Sequence, residues 1–168
     1  TRTYNAQPSL LITSLALLSV FREMSDLKPD YMAGHSLGEY TAYAAAGSIQ
    51  YEDAVKLVRN RGLYMEQAVP SGIGTMSAIL GMDESSLEEV TKTITNQGEP
   101  VQLANLNSPG QIIISGTMDG VRLAGELAKE KGAKRVLPLE VSGPFRSSLM
   151  KPAASKLADT LNTLEIRT

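Results

Sequence analysis

The chain of 168 residues contains no cysteine and a single histidine, His35. The first absence excludes disulfides, thiolate metal sites and a cysteine nucleophile, and the second excludes a multi-histidine metal centre. A strong charge of either sign is missing too. The net charge of −2 gives no basis for binding nucleic acid or an anionic membrane surface. Long hydrophobic runs are also lacking. Leu10-Leu11-Ile12-Thr13-Ser14-Leu15-Ala16-Leu17-Leu18 is broken by Thr13 and Ser14 and followed by Arg22-Glu23. It is too short to span a bilayer, and neither a basic segment nor a small-residue cleavage site frames it. That stretch is predicted to be a buried helix, and the default location is cytoplasmic. What remains is a composition 42% hydrophobic and 20% charged, which suits an ordinary globular protein. The length fits one domain, or one domain carrying a smaller insert.

One stretch organises the rest: Gly34-His35-Ser36-Leu37-Gly38. It follows the apolar run Tyr31-Met32-Ala33, predicted as a strand, and leads into Glu39–Ala46, predicted as a helix. A serine at the apex of a sharp strand-to-helix turn is the context of a nucleophile elbow. Gly34 and Gly38 are expected to permit the tight backbone, since neither adds a Cβ where strand and helix come closest. The elbow exposes Ser36 Oγ as nucleophile and sets the Leu37 N–H at the helix start as one oxyanion donor. His35 is not a base for Ser36, because adjacent residues on an extended strand point to opposite faces.

The other elements read in order. Pro8 fits the first turn of a helix running to Met24, and Lys28-Pro29-Asp30 breaks it. Gly47 is a natural C-cap, and Tyr51-Glu52-Asp53 opens a helix ending near Ala68-Val69-Pro70-Ser71-Gly72. Thr75–Leu80 reads as a strand, and a helix begins at Ser85 with Asp83 as its cap. Val101–Asn105 and Gln111–Ser115 read as strands joined by the turn Asn107-Ser108-Pro109-Gly110. A helix from Met118 to Lys131, closed by Gly132, precedes a last strand, Arg135–Leu139. The order βαββαβ is the ferredoxin-like pattern. It makes residues 73–138 a small domain inserted into a large α/β domain formed by 1–72 and 139–168. A loop, Val141–Arg146, then leads to a closing helix, Leu149–Leu164, with Pro152 near its start.

Several motifs follow one another in a fixed order: Asn5-Ala6-Gln7-Pro8, Ala33-Gly34-His35-Ser36-Leu37-Gly38-Glu39-Tyr40, Arg59-Asn60-Arg61-Gly62, Asn107-Ser108-Pro109-Gly110-Gln111, Gly132-Ala133-Lys134-Arg135, Val141-Ser142-Gly143-Pro144-Phe145 and Leu149-Met150-Lys151-Pro152-Ala153-Ala154. Through them the chain closely resembles the malonyl-CoA:acyl-carrier-protein transacylase family of bacterial fatty-acid synthesis. The resemblance implies an α/β-hydrolase-like acyltransferase domain with a ferredoxin-like insert. It also implies ping-pong transfer: malonyl-CoA acylates a serine, and the phosphopantetheine thiol of acyl carrier protein removes the malonyl group. No metal or redox cofactor is implied, and the full-length family is expected to be monomeric.

The resemblance puts the nucleophile on Ser36 and recognition of the malonyl carboxylate on Arg61. A planar guanidinium pairs bidentately with a carboxylate, which a lysine does not match. Without the family, Arg61 reads as a solvated helix arginine. Gln7 and His35 match pocket-lining positions. Asn107 and Gln111 match a loop facing the cleft, and for both a turn-stabilising role stays open. Phe145 matches a position that favours malonyl over bulkier α-substituted groups. Lys134, Arg135 and Lys151 fit either a basic docking rim for an acidic carrier protein or a plain solvated surface.

Two departures stand against the matches. The family has a histidine after Pro-Phe as general base, and here that residue is Arg146. A guanidinium stays protonated and cannot accept the serine proton. The glycine- and glutamine-rich loop with the second oxyanion donor, and the segment that orients the histidine, are expected to lie outside these residues, leaving exposed edges and an incomplete core in the large domain. Two other readings remain beside malonyl transfer: a serine hydrolase or thioesterase, and a non-catalytic module binding acyl-CoA or carrier protein.

Overall fold

In the computed structural model, which describes residues 2–70, 72–141 and 143–167, the chain divides into two units. One comprises Thr1–Tyr64 and Ala154–Thr168, the other Met65–Ala153. Thr1, Ser71, Ser142 and Thr168 lie outside the described residues, so the motif Val141–Phe145 is described without its serine.

The first unit starts with α1 (Thr3–Met24), which carries Pro8 inside it and not in its first turn as expected. Proline there removes the amide that would bond the carbonyl four residues back. That carbonyl, of Tyr4, instead accepts from Arg59 Nη1 at 3.2 Å. Arg59 lies on α3 (Tyr51–Ala68), whose Glu52 and Asp53 sit favourably in its first turn. Gly62 lets α1 and α3 approach closely, because a Cβ there would meet the Tyr4 backbone. Between them in sequence lies α2 (Leu37–Ala45), closed by Gly47 at φ +80°. Ser48 N donates to Tyr43 O and Gly47 N to Ala44 O, the paired bonds of a Schellman cap. Leu11, Ile49, Ala54, Leu57 and Val58 form the core, with Leu157 and Leu161 of the closing helix α6 (Lys151–Leu161) packed against it.

Three further expectations for this unit are corrected. Only Gln7 and Leu11 of α1 are buried, while Leu10, Leu17, Val20, Phe21 and Met24 are exposed, because α1 packs through one face alone. Tyr31-Met32-Ala33 is irregular and not a strand, and Tyr31 is 93% exposed. A strand needs a ladder partner for its backbone groups, and this unit contains no strand among the described residues. The closing helix starts at Lys151, after a 3₁₀ turn at Ser148–Met150, with Pro152 where its missing N–H costs nothing.

The second unit holds β1 (Gly74–Leu80), α4 (Glu84–Asn96), β2 (Val101–Ser108), β3 (Gln111–Thr117), α5 (Met118–Glu130) and β4 (Arg135–Pro138). The strands form one sheet in the order β2-β3-β1-β4, with every neighbouring pair antiparallel. Alternation along β3 splits the interior into two layers. Ile112 and Ile114 pack with Leu87, Val90 and Ile94 of α4 and Val121, Ala124 and Ala128 of α5. Ile113, with Met76 and Ala78, faces the other way, where Phe145 and Leu139 cover it. Asp83 caps α4 by accepting from Ser86 N at 2.9 Å, and Thr117 caps α5 by accepting from Gly120 N at 3.0 Å. The β2–β3 turn is tighter than expected: Asn107 and Ser108 belong to the strand, leaving Pro109 and Gly110 (φ +72°) as the loop. No helix among the described residues is long and apolar enough to cross a membrane.

Candidate functional site

Ser36 precedes α2 as its N-cap with φ +55° and ψ −112°, a conformation that few residues other than glycine adopt. Its side chain makes no capping bond to the helix, so Oγ is turned away from the usual cap role. Leu37 opens the helix, where its N–H has no partner in the turn below it. The close approach at the elbow depends on Gly34, since a Cβ there would overlap the carbonyl of Gly38. Gly38 does not share that role as expected: a Cβ on it meets nothing within 4 Å, because its α-carbon faces open space.

Around Ser36 Oγ the unit assembles side chains from α1 and α3. Arg61 Nη2 donates to Ser36 Oγ at 3.1 Å, and Nη1 donates to Gln7 Oε1 at 2.5 Å. Gln7 is 4% exposed, and its Nε2 donates to Thr3 Oγ1 at 3.0 Å. That bond fixes the amide so that its carbonyl, the only end able to accept, faces the guanidinium. The geometry follows from the helix contacts: Gly62 brings α3 against Tyr4, and Arg61 then lies beside Gln7, one turn further along α1.

Sequence reasoning missed Tyr40, whose ring centroid lies 5.3 Å from Arg61 Cζ. The signal available was its spacing, one helical turn after Ser36. Burial pushes the Tyr40 phenol above its ordinary value of 10.0, and the charge of Arg61 partly offsets the shift. Thr3, which holds Gln7, carried no signal of its own.

His35 is exposed, and its carbonyl accepts from Gly38 N at 2.9 Å. The remaining predicted residues belong to the second unit. Asn107 is exposed on β2, and Gln111 is exposed at the start of β3. Phe145 is half-buried over the Met76, Ala78 and Ile113 face of the sheet. Arg146 is exposed with φ +61°. Its loop is pinned on both sides: Ser147 Oγ donates to Pro144 O at 2.7 Å, and Ser148 N donates to Gln102 Oε1 at 2.8 Å. Lys134, Arg135 and Lys151 are exposed. Among the described residues no group of three or more His, Asp or Glu could hold a metal ion.

The profile of the acyl transferase domain family matches residues 1–168. A malonyl CoA-acyl carrier protein transacylase of Bacillus subtilis is 61% identical over 167 residues, which cover 99% of this chain and 52% of that protein. The protein of the same name from Haemophilus influenzae is 49% identical over 168 residues, covering 99% of this chain and 54% of its own length. A solved malonyl-transacylase, in complex with its type II PKS acyl-carrier protein, matches with a TM-score of 0.95 at 46% identity, over 99% of this chain and 53% of that one. The chain spans about half the length of the curated relatives it matches. With a serine elbow, an arginine held at the serine oxygen and a profile match across all 168 residues, the chain belongs to the acyl transferase domain family.

Proposed function

We propose that the chain transfers malonyl groups from malonyl-CoA to the phosphopantetheine thiol of an acyl carrier protein, through an ester on Ser36. The observation that carries this reading is the Arg61 guanidinium, 3.1 Å from Ser36 Oγ and secured by buried Gln7. Only the ester carbon and the α-carbon separate the serine oxygen from the carboxylate of a malonyl ester. A guanidinium beside that oxygen therefore stands where such a carboxylate arrives. Simple ester hydrolysis has no use for that charge.

In this reading Ser36 Oγ attacks the thioester carbonyl, the C–S bond breaks, and coenzyme A leaves carrying the proton the serine gives up. The Leu37 N–H receives the transient oxyanion. The carrier thiol then reverses the exchange. Gln7 orients Arg61, and the resemblance assigns pocket lining to His35, control of bulk at the α-carbon to Phe145, and either substrate contact or turn stabilisation to Asn107 and Gln111. Nothing in these steps calls for a resident cofactor. Arg146 occupies the base position and cannot take a proton, so both half-reactions are slow, and Arg146→His should speed transfer by roughly 10²- to 10⁴-fold. The finer architecture we favour is an α/β-hydrolase-like elbow unit (1–72 and 139–168) with a ferredoxin-like insert (73–138). The conformation of Ser36 supports the first, and the βαββαβ order with its antiparallel sheet supports the second. We place the protein in the cytoplasm and take the full-length family as monomeric, with the oligomeric state of this chain left open.

The test is product analysis with malonyl-CoA and holo carrier protein. Malonyl-carrier protein, faster for Arg146→His and absent for Ser36→Ala, is the expected result; free malonate without transfer indicates a hydrolase. Arg146 itself favours a second reading, a module that binds malonyl-CoA without turnover. Binding without an adduct on Ser36, in the chain and in Arg146→His alike, would establish that alternative.

A further inference from the structure

Two hydrogen bonds hold the Arg61 guanidinium by its terminal nitrogens, one to Ser36 and one to Gln7. The Tyr40 ring centroid lies 5.3 Å from Arg61 Cζ, within cation–π range of the same guanidinium. Tyr40 is on α2, one turn from the N-cap Ser36, and is half-buried against the core of its unit.

We propose that Tyr40 is a positioning residue for carboxylate recognition, docking the Arg61 guanidinium onto the nucleophile's own helix and so setting the preference for a carboxylate-bearing acyl group. The inference rests on the malonyl reading given above. When a carboxylate takes Nη2, the bond to Ser36 is given up, and Gln7 and Tyr40 are the two of these three contacts that persist. The chemistry of the ring suits the task. An acidic side chain there would hold Arg61 but neutralise it, whereas an aromatic face attracts the cation and leaves its charge available to the substrate. Glu39, the nearest acid in sequence, is exposed, and its carboxylate accepts from the Tyr43 hydroxyl at 3.4 Å.

The test compares Tyr40→Phe and Tyr40→Leu by calorimetric titration of the whole chain with malonyl-CoA and with acetyl-CoA, using Arg61→Ala as reference. Tyr40→Leu is expected to lower the malonyl-over-acetyl affinity ratio roughly tenfold, while acetyl-CoA affinity stays within about twofold. Tyr40→Phe, which keeps the ring face, should restore most of the ratio. A second readout is the ring-current shift of the Arg61 δ-methylene in the NMR spectrum, expected in the parent chain and Tyr40→Phe and lost in Tyr40→Leu. If Arg61→Ala erases the preference and Tyr40→Leu does not, the role of Tyr40 is overturned while the malonyl reading stands. Equal loss for both ligands in Tyr40→Leu overturns it as well, marking a merely structural residue. If Arg61→Ala leaves the ratio unchanged, or the parent chain prefers neither ligand or binds neither, the malonyl reading falls and takes this inference with it.

Discussion

Ser36 adopts φ +55° at the head of α2, and its backbone strain can be measured separately from its chemistry. Glycine reaches that region without a Cβ penalty, whereas alanine carries the strain and loses the hydroxyl. Ser36→Gly should therefore be more stable than Ser36→Ala by about 1 kcal/mol in denaturant melts; equal midpoints would show that the elbow is relaxed. Tyr40 offers a second residue-level test. Its phenol is raised from the ordinary value of 10.0, chiefly by burial, so the folded state favours the neutral form. That contribution is complete below the unfolded value and is lost as pH climbs through the raised folded one. Stability should fall more steeply above about pH 10 in the parent chain than in Tyr40→Phe, and parallel curves would contradict the assignment. Ser36 was named from its elbow motif and Arg61 and Gln7 only through the resemblance, and the structure brings the three side chains together. Tyr40 was not legible in the sequence, because a ring on a helix reads as core until the neighbouring helix places a cation on it.

At the scale of elements, helix contact sets the site. α1 and α3 meet at Gly62, where a Cβ would strike the Tyr4 backbone. Gly62→Ala should push the helices apart, lower stability by roughly 1–3 kcal/mol and weaken malonyl-CoA binding more than acetyl-CoA binding, since Arg61 loses Gln7. Unchanged selectivity would detach the helix contact from the site. In the second unit, Thr117→Ala removes the N-cap of α5 and the bond Thr117 Oγ1 donates to Glu99 Oε2 at 2.8 Å. A loss of roughly 1 kcal/mol by chemical denaturation is expected, and a neutral result would show that solvent replaces the cap. Elements with local signals read correctly from sequence: the cap Asp83, the isoleucine run of β3 and the glycine closing α2 each decide their own neighbourhood. Elements that depend on distant partners did not. The strand expected at Tyr31–Ala33 has no ladder to join, and the apolar outer side of α1 is not covered within its unit.

For the molecule as a whole, the chemistry divides between the two units. The first carries Ser36, Leu37 and Arg61, proposed as nucleophile, oxyanion donor and carboxylate-binding arginine, and the second carries Phe145 and Arg146. Arg146 stands where the resemblance expects a histidine, and on the proposed reading it sets the expectation of a competent acyl site with slow turnover. That claim is tested most directly by intact-protein mass spectrometry, with peptide mapping, after exposure of the chain to malonyl-CoA and, separately, to acetyl-CoA. The account predicts slow addition of one malonyl group on Ser36, absent from Ser36→Ala and far slower with acetyl-CoA. No adduct, an adduct on another residue, or acetylation as fast as malonylation would contradict it.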